Sequence, residues 1–306
     1  MLFGPVLPLE ADVFTTIPPR FAKARPSAWG DINRRGKPVG SFLEGPCFDP
    51  DGNLYVTDIP FGRIFRISPA GDWTLIAEYD GWPNGSKLRE GGKLYVTDYK
   101  RGIVVVDVKT GTVEPLLETF RTQSFKGVND LCFSREGDLY FTDQGQSGLH
   151  DPSGSVFRYT RTGRLEELFS GIPSPNGIVL NADETEIHIA VTRANAVWRA
   201  PIMPDGCVSK VGCWLQLSGG VSGPDGLARD REGGIAVAQV GIGIWRFDSL
   251  GRPTHLVSRG IGAMCTNMAF RGEQIFITES VGGTILKAPW PVAGAELPLS
   301  ATDHHP

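Results

Sequence analysis

One phrase recurs along the chain: a turn, then apolar and aromatic residues in alternation, then a threonine or an acid. Its clearest copies are Asp51-Gly-Asn-Leu54-Tyr-Val-Thr-Asp58, Gly92-Lys-Leu94-Tyr-Val-Thr-Asp98 and Glu136-Gly-Asp-Leu139-Tyr-Phe-Thr-Asp143. Weaker copies start at Glu186, Gly233 and Gln274. Measured at the first apolar residue of each (Leu54, Leu94, Leu139, Ile187, Ile235, Ile275), the steps are 40, 45, 48, 48 and 40 residues. A second alternating run follows each copy, as in Arg63–Ile67, Ser155–Tyr159 and Gly243–Phe247. Alternation with period two, in Val, Ile, Phe, Tyr and Trp between Gly, Pro and Asp, is the pattern of short strands. Six units at this spacing predict an all-β chain, a six-bladed β-propeller with four-stranded antiparallel blades. The 39 glycines and 23 prolines supply the turns that such a fold needs. Residues 1–306 are expected to form one domain, with clear repeats over about 40–290 and one terminal strand closing the ring so that no sheet edge stays open.

Ahead of each phrase stands a strand that opens on a polar motif. The motifs are Glu44-Gly-Pro46, Pro83-Asn84-Gly85, Val128-Asn129-Asp130, Pro175-Asn176-Gly177, Pro224-Asp225-Gly226 and Thr266-Asn267. From Glu44, Asn84, Asn129 and Asp225 to the phrase is 10 residues; from Asn176 it is 11 and from Thr266 it is 9. Matching offsets place the six residues at one structural position, and the first strand of a propeller blade lines the central channel. Glu44, Asn84, Asn129, Asn176, Asp225 and Thr266 are therefore expected to converge on the axis. Two residues on, where period two brings the same face round again, stand Pro46, Ser86, Leu131, Ile178, Leu227 and Met268. Ser86 is out of keeping with the apolar others, and nothing in the sequence explains it.

Two carboxylates and three amides make an oxygen-rich ring, the donor set of a hard divalent cation. Calcium suits an irregular cage of side chains and water better than magnesium does; manganese and zinc stay open, and so does a water-filled polar channel without metal. Taken singly, Pro-Asn-Gly and Asp-Gly are turn signals. The common register is what gives them a second meaning.

Other chemistries find little purchase. There is no G-x-S-x-G and no H-E-x-x-H. A net charge of −4 and only short basic clusters speak against nucleic acid as a partner. The five cysteines are odd in number and lack a C-x-x-C, which predicts free thiols. No signal-peptide pattern and no membrane-length apolar run is present, so the expected location is the cytoplasm and no membrane partner is expected. Of the five histidines, His188 falls inside a strand copy, and His304 and His305 lie in the tail. His150 sits in a loop that can overhang the channel mouth.

Glu44-Gly-Pro, Asn129-Asp, Pro-Asn176-Gly-Ile and Gly-Pro-Asp225-Gly-Leu, in this order, resemble the gluconolactonase and senescence-marker-protein family over roughly residues 40–290. The stretch from Tyr140 to Phe157 and then Asn176 to Asn195 is most similar to its drug-responsive lactonase branch. The resemblance implies a calcium-dependent lactonase acting on a small-molecule lactone or ester. It places metal ligands at Glu44, Asn176 and Asp225, has Asn129 touch metal or substrate, and makes Asp225 the base or nucleophile. Asn84, Asn129, Thr266 and Trp82 are the expected substrate contacts. Sugar-lactone members carry an arginine two residues before the position of Asn129; this chain has Gly127 there, which favours a less hydroxylated lactone. Trp82, Phe125 and Met264 fit a more apolar pocket or plain packing equally well. Phosphotriester hydrolysis on the same metal site and a non-enzymatic binding platform are the rival readings.

Overall fold

A computed structural model describes residues 4–260 and 262–295; His304 and His305 lie outside the described residues. Six sheets surround one axis, each starting from an inner strand: Leu43–Phe48, Pro83–Arg89, Val128–Phe133, Pro175–Leu180, Pro224–Arg229 and Cys265–Arg271. These define blades 1 to 6 of a six-bladed β-propeller. Each sheet then runs outward through consecutive antiparallel strands, the recurring phrase forming the second. The N-terminus closes the ring. Asp12–Thr16 pairs antiparallel with Thr284–Pro289 and becomes the outermost strand of blade 6. Leu7–Glu10 adds a parallel fifth strand to the outer edge of blade 5. Thr15 fastens this closure to blade 1, accepting from Trp73 Nε1 at 3.0 Å and donating to the Gly71 carbonyl at 2.8 Å.

Alternating side chains leave each sheet on both faces, so every blade packs against two neighbours. The core consequently divides into six apolar clusters, one per joint; Cys47, Tyr55 and Ile64 of blade 1, for instance, meet Leu94, Val96 and Val104 of blade 2. Burying such side chains contributes about 1.5–3 kcal/mol each, and this drives the strands together.

The polar end of the phrase has its own work. Its aspartates hold the loop that enters the inner strand. Asp58 accepts from Phe42 N at 2.8 Å, Asp98 from Trp82 N at 3.0 Å and Asp143 from Gly127 N at 2.7 Å. Its threonines reach the next blade. Thr57 donates to the Asn84 carbonyl at 2.6 Å, Thr97 to that of Asn129, and Thr142 to that of Asn176 at 2.8 Å. The repeated Thr-Asp thus fixes both the start and the azimuth of the neighbouring inner strand, and with them the residue offered to the axis.

Each inner strand also breaks register at its polar motif, between Val128 and Leu131 in blade 3 and between Pro224 and Leu227 in blade 5. A bulge places two successive residues against one partner residue, so period two fails there. Ser86 shows the result. It is fully buried, and its hydroxyl donates to the Gly45 carbonyl and lies 3.5 Å from Cys47 Sγ, in the joint between blades 1 and 2. Its apolar counterparts Leu131 and Ile178 likewise pack into joints. The serine belongs to blade packing and not to the channel wall.

The five cysteines are free thiols. No helix among the described residues is long and apolar enough to cross a membrane.

Candidate functional site

The six inner strands carry Glu44, Asn84, Asn129, Asn176, Asp225 and Thr266 at their starts, and Glu44 and Asp225 stand near enough for their charges to interact. Glu44 is buried, and its Oε2 accepts from Gly45 N and from Asn267 Nδ2, both at 3.0 Å. Burial first, with the Asp130 charge in support, pushes the Glu44 carboxyl up to about 7 against the pull of the donors around it. Asp225 stays partly open to the channel but lies deep in the protein. Desolvation, then the charges of Glu44 and Asp130, hold it well above the usual carboxylate range; the Asn176 amide and the Arg193 cation act in the opposite direction. Asn129 donates to Gln144 Oε1 at 2.9 Å, and Gln144 in turn donates to Ser174 Oγ at 2.9 Å, so the Nδ2 end of Asn129 is fixed by this relay. Asn176 donates to Thr192 Oγ1 at 3.3 Å.

The remaining expected contacts divide. Asn84 is buried at the blade 2 position, and Trp82 is half-buried beside it, its ring 5.9 Å from that of Tyr99. The Thr266 hydroxyl sits in the joint between blades 6 and 1, sharing hydrogen bonds with Ser280 and, at 3.2 Å, with Thr278. Phe125 is half-buried and packs edge-on against Phe141 and Phe157, both at 5.4 Å, against the core between blades 2 and 3. Met264 donates its backbone N–H to Glu279 Oε1 at 3.2 Å. His150 lines a cavity of 440 Å³ above the relay, with Gln144, Ser174, Arg193 and Asn33. The short helix Ala28–Asn33, capped by Ser27 Oγ on Gly30 N at 3.0 Å, brings Asn33 to that rim.

Sequence reasoning passed over two central residues, Asp130 and Asn267. Both are buried, and each stands one position after the expected ring residue. The other four blades carry glycine there: Gly45, Gly85, Gly177 and Gly226. A β-carbon on Gly85 would come 2.4 Å from Asp130 Oδ1, and one on Gly226 would come 2.4 Å from Asn267 Oδ1. These glycines leave the room that the two side chains fill. Blades 3 and 6 are opposite, and Asn267 Nδ2 lies 3.5 Å from Asp130 Oδ2. The pair spans the axis beneath the ring and divides the channel. The departure from glycine in two opposed blades was the available signal.

The residues suit a cation. Three carboxylates, the buried Glu44 and Asp130 and the half-buried Asp225, raise one another's proton affinity and lack an ion pair among the described residues. Among those residues no three His, Cys, Asp or Glu side chains are grouped to hold an ion by themselves. Amide oxygens would have to complete the set, and Asn129 and Asn176 stand where such oxygens are wanted.

Fold and site together define a propeller with an acidic, amide-lined axial centre. The chain belongs to the SMP-30/gluconolactonase/LRE-like family, whose description matches residues 42–280. It is 28% identical over 270 residues to a gluconolactonase of Zymomonas mobilis, covering 78% of this chain and 76% of the relative. It is also 28% identical over 237 residues to lactonase drp35 of Staphylococcus aureus strain MW2, covering 74% and 71%. Regucalcin of Agrobacterium tumefaciens, described as a calcium-binding protein, shares the fold with a TM-score of 0.75 at 22% identity, over 97% of this chain and 99% of that one.

Proposed function

We propose that this protein is a divalent-metal-dependent hydrolase that opens the ester ring of a lactone, with calcium as the metal. One observation carries the reading: the buried Glu44 and the half-buried Asp225 stand near enough at the axis for their charges to interact, with no ion pair among the described residues, beside the amides of Asn129 and Asn176. The names of the lactonase relatives supply the reaction class.

Glu44, Asn129, Asn176 and Asp225 would hold the ion, which when bound supplies Lewis-acid polarisation of the ester carbonyl. Asp225, still open to the channel, takes the proton of the attacking water. A carboxylate that also helps hold the ion is a weak base near neutrality, so the ion would have to acidify that water as well. The relay Asn129–Gln144–Ser174 keeps one amide from turning. Asn84 and Trp82 offer a polar and an apolar contact at the same mouth.

Gly127 supports a lactone with few hydroxyls. Its φ is +147°, and a β-carbon there would meet the Tyr99 ring at 2.4 Å. Tyr99 is itself held by Gln146 Nε2 at 2.7 Å. No arginine can project from this position to grip sugar hydroxyls.

The test is acid release from simple γ- and δ-lactones, aromatic lactones and sugar lactones, with chelator and then with calcium restored. Turnover abolished by chelator, recovered with calcium and strongest on the less hydroxylated rings is expected. Metal-loaded, folded protein that opens no lactone would overturn the reading; hydrolysis of a phosphotriester alone would move the same centre to the rival substrate.

A further inference from the structure

Beneath the Asp130–Asn267 bridge the channel opens again toward the opposite mouth, as a cavity of 540 Å³ to which all six inner strands contribute. Pro46, Leu227 and Met268 give it an apolar wall. Arg135 and Arg231 stand exposed at its rim, and two further cations, Lys87 and Arg229, are half-buried among the lining residues. Among the described residues neither has an ion-pair or side-chain hydrogen-bond partner. Lys87 is close enough to Asp130, Cys47 and Cys132 to favour their charged forms, which places its ammonium inside the channel. Of the rim carboxylates, Glu184 favours the charged form of Arg229 without pairing with it, and both Asp49 and Glu184 have other partners. Asp49 accepts from Asn53 N and Nδ2, both at 2.8 Å, and Glu184 accepts from Arg135 N at 2.8 Å and pairs with its Nε at 3.6 Å.

A half-buried guanidinium is costly without a partner, and burial does lower the pKa of Arg229. Two such half-buried cations share one cavity with the exposed Arg135 and Arg231, on a chain whose net charge is −4. The volume lies in the range of small-ligand sites, which combine apolar walls with a few convergent polar groups. Guanidinium and ammonium select an anionic head, and the walls select an apolar body.

We infer that this lower cavity is a second binding site, separate from the axial centre, for a small organic carboxylate with an apolar chain or ring. Lys87 and Arg229 hold the carboxylate, and Leu227 and Met268 hold the body.

Octanoate is a suitable probe and octanol its uncharged counterpart, each titrated calorimetrically into the full, calcium-loaded chain. One octanoate per chain is expected, with octanol at least about tenfold weaker, a difference of about 1.4 kcal/mol. Arg229→Gln and Lys87→Met should each weaken octanoate about tenfold or more and leave octanol unchanged, whereas Arg229→Lys should retain most of the affinity. Octanoate binding should survive in Asp225→Asn and in excess chelator. Should a variant fail to fold, the rise in wild-type melting temperature with octanoate, reduced by salt and absent with octanol, reads the same site. Binding that ignores both cations, that treats octanol and octanoate alike, or that vanishes with the axial metal would overturn the assignment.

Discussion

Thr142 of blade 3 donates its hydroxyl to the carbonyl oxygen of Asn176 in blade 4 at 2.8 Å. The bond crosses a joint between sheets and ends on the backbone of a proposed metal ligand. Thr142→Val would leave a buried carbonyl without its donor, at a cost of about 1–3 kcal/mol. Calcium affinity measured by calorimetry should fall about tenfold with it, while Thr142→Ser should keep both affinity and stability.

Asp225→Asn removes the proposed base and one ionic ligand together. Lactone turnover should drop by at least about 10²-fold, the lower range for loss of a positioned base. Steady-state rates at saturating calcium check this, and near-normal activity would refute the role.

The metal-free protein should lose stability as the pH rises. Glu44 has a folded pKa of about 7 against an ordinary 4.5, so the folded state holds a proton that the unfolded chain releases between those values. Stability from this group is complete below about 4.5 and declines through pH 7, and the raised Asp225 adds a decline of the same sign. With chelator present, the melting temperature should be lower at pH 8 than at pH 5, by on the order of 5 °C. Calcium should abolish the difference, and Glu44→Gln should flatten the metal-free curve.

Gly127 and Tyr99 should couple. Gly127→Ala meets both the positive φ and the tyrosine ring and should cost more than about 1 kcal/mol. In a Tyr99→Ala background the steric part disappears, so a double-mutant cycle by chemical denaturation should show an interaction of about 1 kcal/mol.

The blades were legible because the same alternation and turn return six times, and because Thr-Asp closes the clear copies. The polar ring was legible from its register, since Glu44, Asn84, Asn129, Asn176 and Asp225 each open an inner strand. Counting by twos could not reach further, because a bulge interrupts each strand at that point and sends Ser86 into a joint. The same bulge hides the importance of Asp130 and Asn267, which look like the second halves of turn motifs. Their meeting is a contact across more than a hundred residues of sequence, and no local pattern encodes it.

The pairing of Asp12 with Lys287 has a consequence for how this molecule is made. Synthesis proceeds from the N-terminus at roughly 5–20 residues per second. Asp12–Thr16 leaves the ribosome long before Thr284–Pro289 and must therefore wait, unpaired, until the last blade has emerged. During that interval Phe14, which ends against Phe276 at 5.3 Å, has no partner to cover it. Nascent chains halted before blade 6 would carry a free strand and an open blade edge at once, the combination on which chaperones act and from which neighbouring chains on one message exchange strands.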